Sequence, residues 1–263
     1  MAIIDQVTLR TGVADWLNRS DLSDSLIDDF ISIGEAKIYE SLRVPPLEIS
    51  QGFSVTSTNS SIIIPDGFLE MIELKVDATD KDDDIVLSRV DSKVFNNNRM
   101  SYAYTRHIGN FLLTDSEGLQ EAGGNYGMWY YKAEDPIGTY SSTATTAGAF
   151  VVGKYYTILT LGNTNFVGDG ASENTVGVIF KATNAGSGTG TANVEVIPYI
   201  LSDVFELILY AACSAASGYL GDVEMDEKYS ALLERKINAL NQKELRASMK
   251  GAAFAAQYST PLL

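Results

Sequence analysis

His107 stands beside Arg106, and with Ser101 or Asp115 as partners it supplies the residue types of a base, a nucleophile and an orienting acid for acyl transfer. That chemistry needs the side chains within hydrogen-bond reach, and no nucleophile motif surrounds the serine, so the plainer reading is a loop histidine. Asp80, Asp82 and Asp84 alternate in DATDKDDDIVLSRVD, with Asp91 where the last ligand of a calcium loop would stand. Ile85 fills the place of the required glycine and no helical pattern flanks the run, which predicts a solvated hairpin turn. Cys213 lies in an alanine-rich stretch without a basic neighbour, as expected of a buried small residue rather than a reactive thiol. GSGTGTA, residues 186–192, has no Lys-Ser or Lys-Thr beside it to hold phosphate, and reads as a flexible spacer. Trp129, Tyr130 and Tyr131 have the faces to stack on a sugar, but aromatic residues in a strand more commonly belong to a core or an interface. No catalytic residue, cofactor or metal is therefore assigned, and the chain reads as a non-enzyme.

The elements that would carry these residues begin with a chain of 263 residues, long enough to bury a sizeable core. Acidic side chains outnumber basic ones 34 to 19, for a net charge of -15, which argues against gripping nucleic acid through its phosphates. The charge is uneven: residues 1–100 are acidic, whereas residues 227–250 carry six basic and three acidic side chains. One cysteine excludes an internal disulfide, and one histidine leaves the usual structural zinc ligands missing. Asp5 precedes any apolar stretch, so no secretory or mitochondrial leader is expected. The strongest membrane candidate, Val204 to Gly221, contains Glu206 and several serines and is barely long enough to span, which favours a buried helix.

Apolar spacing predicts helices over 9–19, 24–43, 202–220 and 225–248, the second closed by Val44-Pro45-Pro46. Between them, residues 51–135 carry short β-branched and aromatic runs divided by turn formers, as in antiparallel sheet, and the pattern from Ser88 to Tyr102 leaves helix and loop both open. From Ser141 the composition turns to Thr, Gly, Ala, Ser and Asn with few charges, which predicts an inserted small all-β domain over 141–193. The fold class expected is α+β: N- and C-terminal helices in one bundle, a central antiparallel β region, and the insertion. The expected partition is a core of 1–140 with 194–250, the insertion, and an uncharged tail over 251–263.

DWLNRSDLSDSLIDDFISIGEAKIYESLRVPPLE (15–48) resembles the opening of the head-to-tail adaptor, or connector, family of tailed bacteriophages, although Glu35-Ala36 after Gly34 departs from the family's order. The resemblance continues through SIIIPDGFLEMIEL (61–74), GNFLLTD (109–115), MWYYKAEDP (128–136) and ELILYAACSAASGYLGDVEMDEKYSALLERKINAL (206–240). Its strength lies in the order of the matches, since each alone is weak. The stretch GAFVVGKYYTILTLGNTNFVGDGASENTVGVIFKATNAGSGTGTA is in turn similar to a module that recurs in unrelated phage structural proteins.

The resemblance implies a structural virion protein in the neck between capsid and tail, met in the host cytoplasm during assembly. It implies a homo-oligomeric ring, a dodecamer, bound below the portal protein, with helices in the ring wall and the β region toward tail or nozzle proteins. DNA would pass through the channel without specific binding, and no membrane is involved. Portal docking falls on Lys243, Arg246, Lys250, Phe254, Tyr258, Leu262 and Leu263, a basic helix end followed by uncharged residues. The alternative is a receptor- or glycan-binding tail or decoration protein acting through the inserted β domain.

Overall fold

A computed structural model describes residues 3–76, 85–97 and 100–257. The protein is α+β, with six α-helices and three four-stranded sheets among the described residues. In chain order, α1 (Gln6–Leu17) and α2 (Asp24–Ser41) precede β1 (Glu48–Val55), β2 (Ser61–Ile63), β3 (Phe68–Val76), β4 (Ile85–Val86) and β5 (Ser88–Arg89). Next come α3 (Ser92–Asn97), β6 (Ala103–His107), β7 (Asn110–Leu113) and β8 (Gly124–Lys132). The strands β9 (Tyr140–Thr146), β10 (Tyr155–Thr160), β11 (Ile179–Lys181) and β12 (Thr191–Glu195) lead into α4 (Tyr199–Ser202), α5 (Phe205–Leu220) and α6 (Val223–Gln257). Two compact units result: Met1–Leu42 with Asp135–Leu263, and Arg43–Glu134. The small sheet β9–β12 thus falls in the helical unit and the central β region in a unit of its own, whereas the partition read from sequence joins that region to the helices.

In the helical unit, α1 starts three residues before its expected boundary because Asp5 and Thr8 form a reciprocal cap: the Asp5 carboxylate accepts the Thr8 N–H at 2.8 Å, and the Asp5 N–H donates to Thr8 Oγ1 at 3.1 Å. Arg10 clamps α1 to α2 through two bonds to Asp28, 2.6 and 2.5 Å long, a forked geometry that fixes orientation as well as distance. Helix α2 packs directly on α5 at Gly34. A Cβ placed on Gly34 would stand 3.0 Å from the Ala211 Cβ and 3.0 Å from the Ala212 backbone nitrogen, so only glycine there lets the axes come this near. Around that contact Phe30, Ile31, Ile38, Leu207, Ile208 and Ala212 are buried.

A polar stitch joins the third helix to the pair. Lys37 donates to Ser214 Oγ at 3.2 Å, Ser214 donates to Asp226 Oδ1 at 2.6 Å, and Ser230 reaches the same oxygen at 3.3 Å. Ser214 is fully buried, so losing one partner would leave a desolvated polar atom costing about 1–3 kcal/mol. The turn into α6 uses Gly221 at φ 74 and the Asp222 carboxylate, which accepts the Met225 N–H at 3.1 Å. The helix continues past its expected end as far as Gln257, because the alanines around Gly251 favour helix strongly enough to outweigh one glycine.

The small sheet has the order β11-β10-β12-β9, all antiparallel, over an aromatic core of Phe150, Tyr156, Phe166 and Phe180. GSGTGTA is no flexible spacer here. Its end forms β12, and a Cβ on Gly190 would stand 2.5 Å from the Leu161 carbonyl oxygen, so these glycines serve close approach. The Thr189 N–H donates to Asn163 Oδ1 at 2.7 Å and the Gly190 N–H to Thr164 Oγ1 at 2.8 Å, which pins the segment down. The end of β12 meets α1, where the Gln6 N–H donates to Glu195 Oε1 at 2.9 Å. Burial nevertheless raises the Glu195 carboxyl above its ordinary value, the Gln6 bond offsetting only part of that. Ahead of β9, the buried Glu35 carboxylate accepts the Ile137 N–H at 2.9 Å.

The β unit sandwiches two sheets, β1-β8-β3-β4 and β2-β7-β6-β5, whose inner faces share one core. Leu74, Tyr126, Met128 and Tyr130 come from the first; Ile62, Tyr104, Phe111 and Leu113 come from the second. Pairing is antiparallel except for β5 with β6. The open stretch from Ser88 to Tyr102 includes the short helix α3, and Asp91 accepts the Lys93 N–H at its start.

Gly34→Val is expected to lower the unfolding free energy by about 1–3 kcal/mol through overpacking of α2 on α5, measured by denaturant melts, with Gly34→Ala costing less. A raised folded-state carboxyl contributes stability that is present below its ordinary value and lost as pH rises through the raised one. Glu195→Gln keeps an acceptor for Gln6 and removes that loss. The variant is therefore expected to gain on wild type in melts run from about pH 4 to about pH 7.

Candidate functional site

The structure separates the residues that sequence brings together as a triad. Ser101 and Asp115 lie at one end of the β6–β7 hairpin, where the Tyr102 N–H donates to the Asp115 carbonyl, and His107 lies at the other. Strand β6 sets them roughly 13 Å or more apart at ordinary strand rise. The Asp115 carboxylate is already engaged, accepting the N–H groups of Glu117 and Leu119 at 2.9 Å each to build a turn. Cys213 is fully buried on α5, and burial pushes its thiol up to about 12, so almost none is thiolate near neutrality. Asp80, Asp82 and Asp84 lie outside the described residues; Asp91, which is described, caps α3. Among the described residues no three His, Cys, Asp or Glu side chains gather as metal ligands. No described helix is long and apolar enough to cross a membrane; the segment from Val204 to Gly221 is α5, with Leu207, Ile208 and Ala212 in the helical core.

Three surface features stand out among the described residues. At 35 residues α6 is about 52 Å long, against about 24 Å for the 16-residue α5 that packs beside it, so α5 cannot cover its second half. Tyr229, Leu233 and Ile237 are buried, and Asn241 donates to the Ser41 carbonyl at 2.8 Å. Beyond that point Lys243 is exposed. Positions 243, 246, 250 and 254 share one side of the helix by its period, roughly opposite the side of Ile237. The side chains of Arg246, Lys250 and Phe254, and the whole of Tyr258, Leu262 and Leu263, lie outside what the structure describes.

The second surface is the outward face of β1-β8-β3. Alternation in β8 sends Tyr126, Met128 and Tyr130 to the core and Asn125, Gly127 and Trp129 outward. Tyr130 therefore belongs to the interior, its hydroxyl donating to Gln51 at 3.1 Å, while Trp129 is 45% exposed. Ser50, Trp129 and Glu73 form one cross-strand row, and Gly52, Gly127 and Lys75 the next. Nothing stands within 4 Å of where a Cβ would be on either glycine, which leaves a groove of about 450 Å³ beside the indole. Glu73 and Lys75 pair at 3.3 Å along one rim, and Ser54 donates to Asn125 at 2.8 Å beyond the glycines.

The third is the tip of β6–β7. His107 faces Asn110 in register, so Ile108 and Gly109 make a two-residue turn, and Ile108 takes φ 53. Both turn types that suit such a hairpin want glycine or asparagine at that first position. Ile108 is 87% exposed and Ile63, set beside the turn opposite Asn110, is 75% exposed, the two highest values among the described large hydrophobics. Sequence periodicity misses both the groove and the tip; the available signals were Ile-Gly in place of Asn-Gly, and glycines at outward positions of two strands.

The comparisons agree with the resemblance carried by the helical and strand motifs. Residues 7–256 match the family described as SU10 adaptor protein. No protein of curated function matches the chain. With nearly its whole length matched, the chain belongs to the SU10 adaptor protein family, the structural adaptors of bacteriophage particles.

Proposed function

We propose that this chain is one subunit of a dodecameric ring in the neck of the particle, seated below the portal, extending the DNA channel and giving tail components their attachment platform. The family match over residues 7–256 carries this reading. Further support comes from the length of α6, whose second half α5 cannot cover and which places basic residues on one side at 243, 246 and 250. A helix end of this kind gains a partner when it docks along a groove or another helix. The net charge of -15 suits a conduit, because acidic walls repel the phosphate backbone and keep DNA from adhering as it leaves. The small sheet β9–β12 is, on this reading, an inserted module added to the adaptor.

Docking of the C-terminal segment on the portal is testable by removing Gly251 to Leu263. The α2–α5–α6 contacts described above all precede the cut, so the truncated chain is expected to keep its thermal transition and helical circular dichroism. Its co-sedimentation with portal is expected to fall at least about tenfold. Undiminished binding by the truncated chain would remove the docking role from this segment.

A further inference from the structure

We infer that neighbouring copies of this chain join through their β units, the Ile108 tip of one copy seated in the groove beside Trp129 of the next. The inference rests on the ring reading and says which surfaces close it. Ile108 is the starting observation. A β-branched residue at positive φ is strained, and glycine at the same place would avoid that strain. Burial does not recover it, since the side chain is 87% exposed in the single copy. With Ile63 beside it, the turn forms an apolar knob that the isolated chain leaves in water at a structural cost.

The groove has the complementary chemistry. Its floor is the bare backbone of Gly52 and Gly127, paired across β1 and β8, and its wall is the half-exposed indole of Trp129. An aliphatic side chain set there would cover both and gain the contacts that the missing Cβ atoms leave unmade. Arg106 flanks the knob, and the groove's rim carries the Glu73–Lys75 pair, so the match between knob and groove is one of shape and apolar surface rather than of charge. Knob and groove belong to different sheets of the sandwich, one at a turn and the other on an outward face, so a copy does not fill its own groove. A contact between two different patches is heterologous, the kind that propagates from copy to copy and closes into a ring when the rotation permits.

The contact is tested with the full-length chain, alone and with portal, by sedimentation velocity and by cysteine pairing in a Cys213→Ala background. Ile108→Gly relieves the turn and is expected to leave the thermal transition unchanged or higher. Gly127→Val points into open space from a strand, where valine is well suited, and is expected to stay folded. Each is expected to weaken copy-to-copy association at least about tenfold. Mixing Ile108→Cys chains with Ser50→Cys chains under mild oxidation is expected to give disulfide-linked dimers that neither gives alone. Rings that form on the portal indifferently to both substitutions, without the mixed disulfide, would overturn the knob-and-groove contact and leave the ring standing. Wild-type chains that form no ring with or without portal would overturn both.

Discussion

The approach of α2 to α5 at Gly34 is the constraint on which the helical unit depends. With no Cβ on one side and only Ala211 and Ala212 on the other, the two backbones pack closely enough for Lys37 to reach Ser214 and for Ser214 to reach Asp226 on α6. A wider spacing would separate those partners and leave buried polar atoms unsatisfied. Packing and hydrogen bonding thus support one another: the small residues set the distance, and the polar stitch makes other distances costly. The same geometry fixes where α6 leaves α5, and so where its second half runs beyond the reach of α5.

The β unit uses a different logic. Strand alternation gives the sandwich a core from one face of each sheet and leaves the other faces to water or to partners. On the outward face of β1-β8-β3 the two glycines and Trp129 are poor choices for a surface whose only task is solubility. They are good choices for an interface, where a large rigid aromatic beside a recess provides contact at small entropy cost. The isoleucine at the β6–β7 turn is unfavourable for folding alone in the same way. Both sites become intelligible when the folded chain is regarded as a component of an assembly.

Much of this was legible in the amino-acid order. The 3.6-residue stripes of α2 and α5 have a strong apolar side, and their placement follows from spacing alone; the α+β class follows from the change of period after Pro46. Boundaries were less legible where a side chain decides them: the Asp5–Thr8 cap starts α1 early, and the alanines past Gly251 prolong α6 to Gln257. Glycine was the most ambiguous letter. Gly186, Gly188 and Gly190 suggest flexibility by composition, yet Gly186 stands against Phe150 and Asp169 and the other two against Thr164, because a missing Cβ serves close approach as readily as it serves motion. Residues with chemical potential, His107, Ser101 and Asp115, are near one another in sequence but occupy opposite ends of a hairpin, a separation that composition cannot reveal.

The central claim is that these surfaces build a ring against the portal. Electron cryomicroscopy of the purified chain mixed with portal addresses it most directly. The account predicts a closed twelvefold layer attached to one end of the portal, with density for α6 reaching into the portal subunits. Portal particles with no added layer, or single copies bound elsewhere on them, would contradict it.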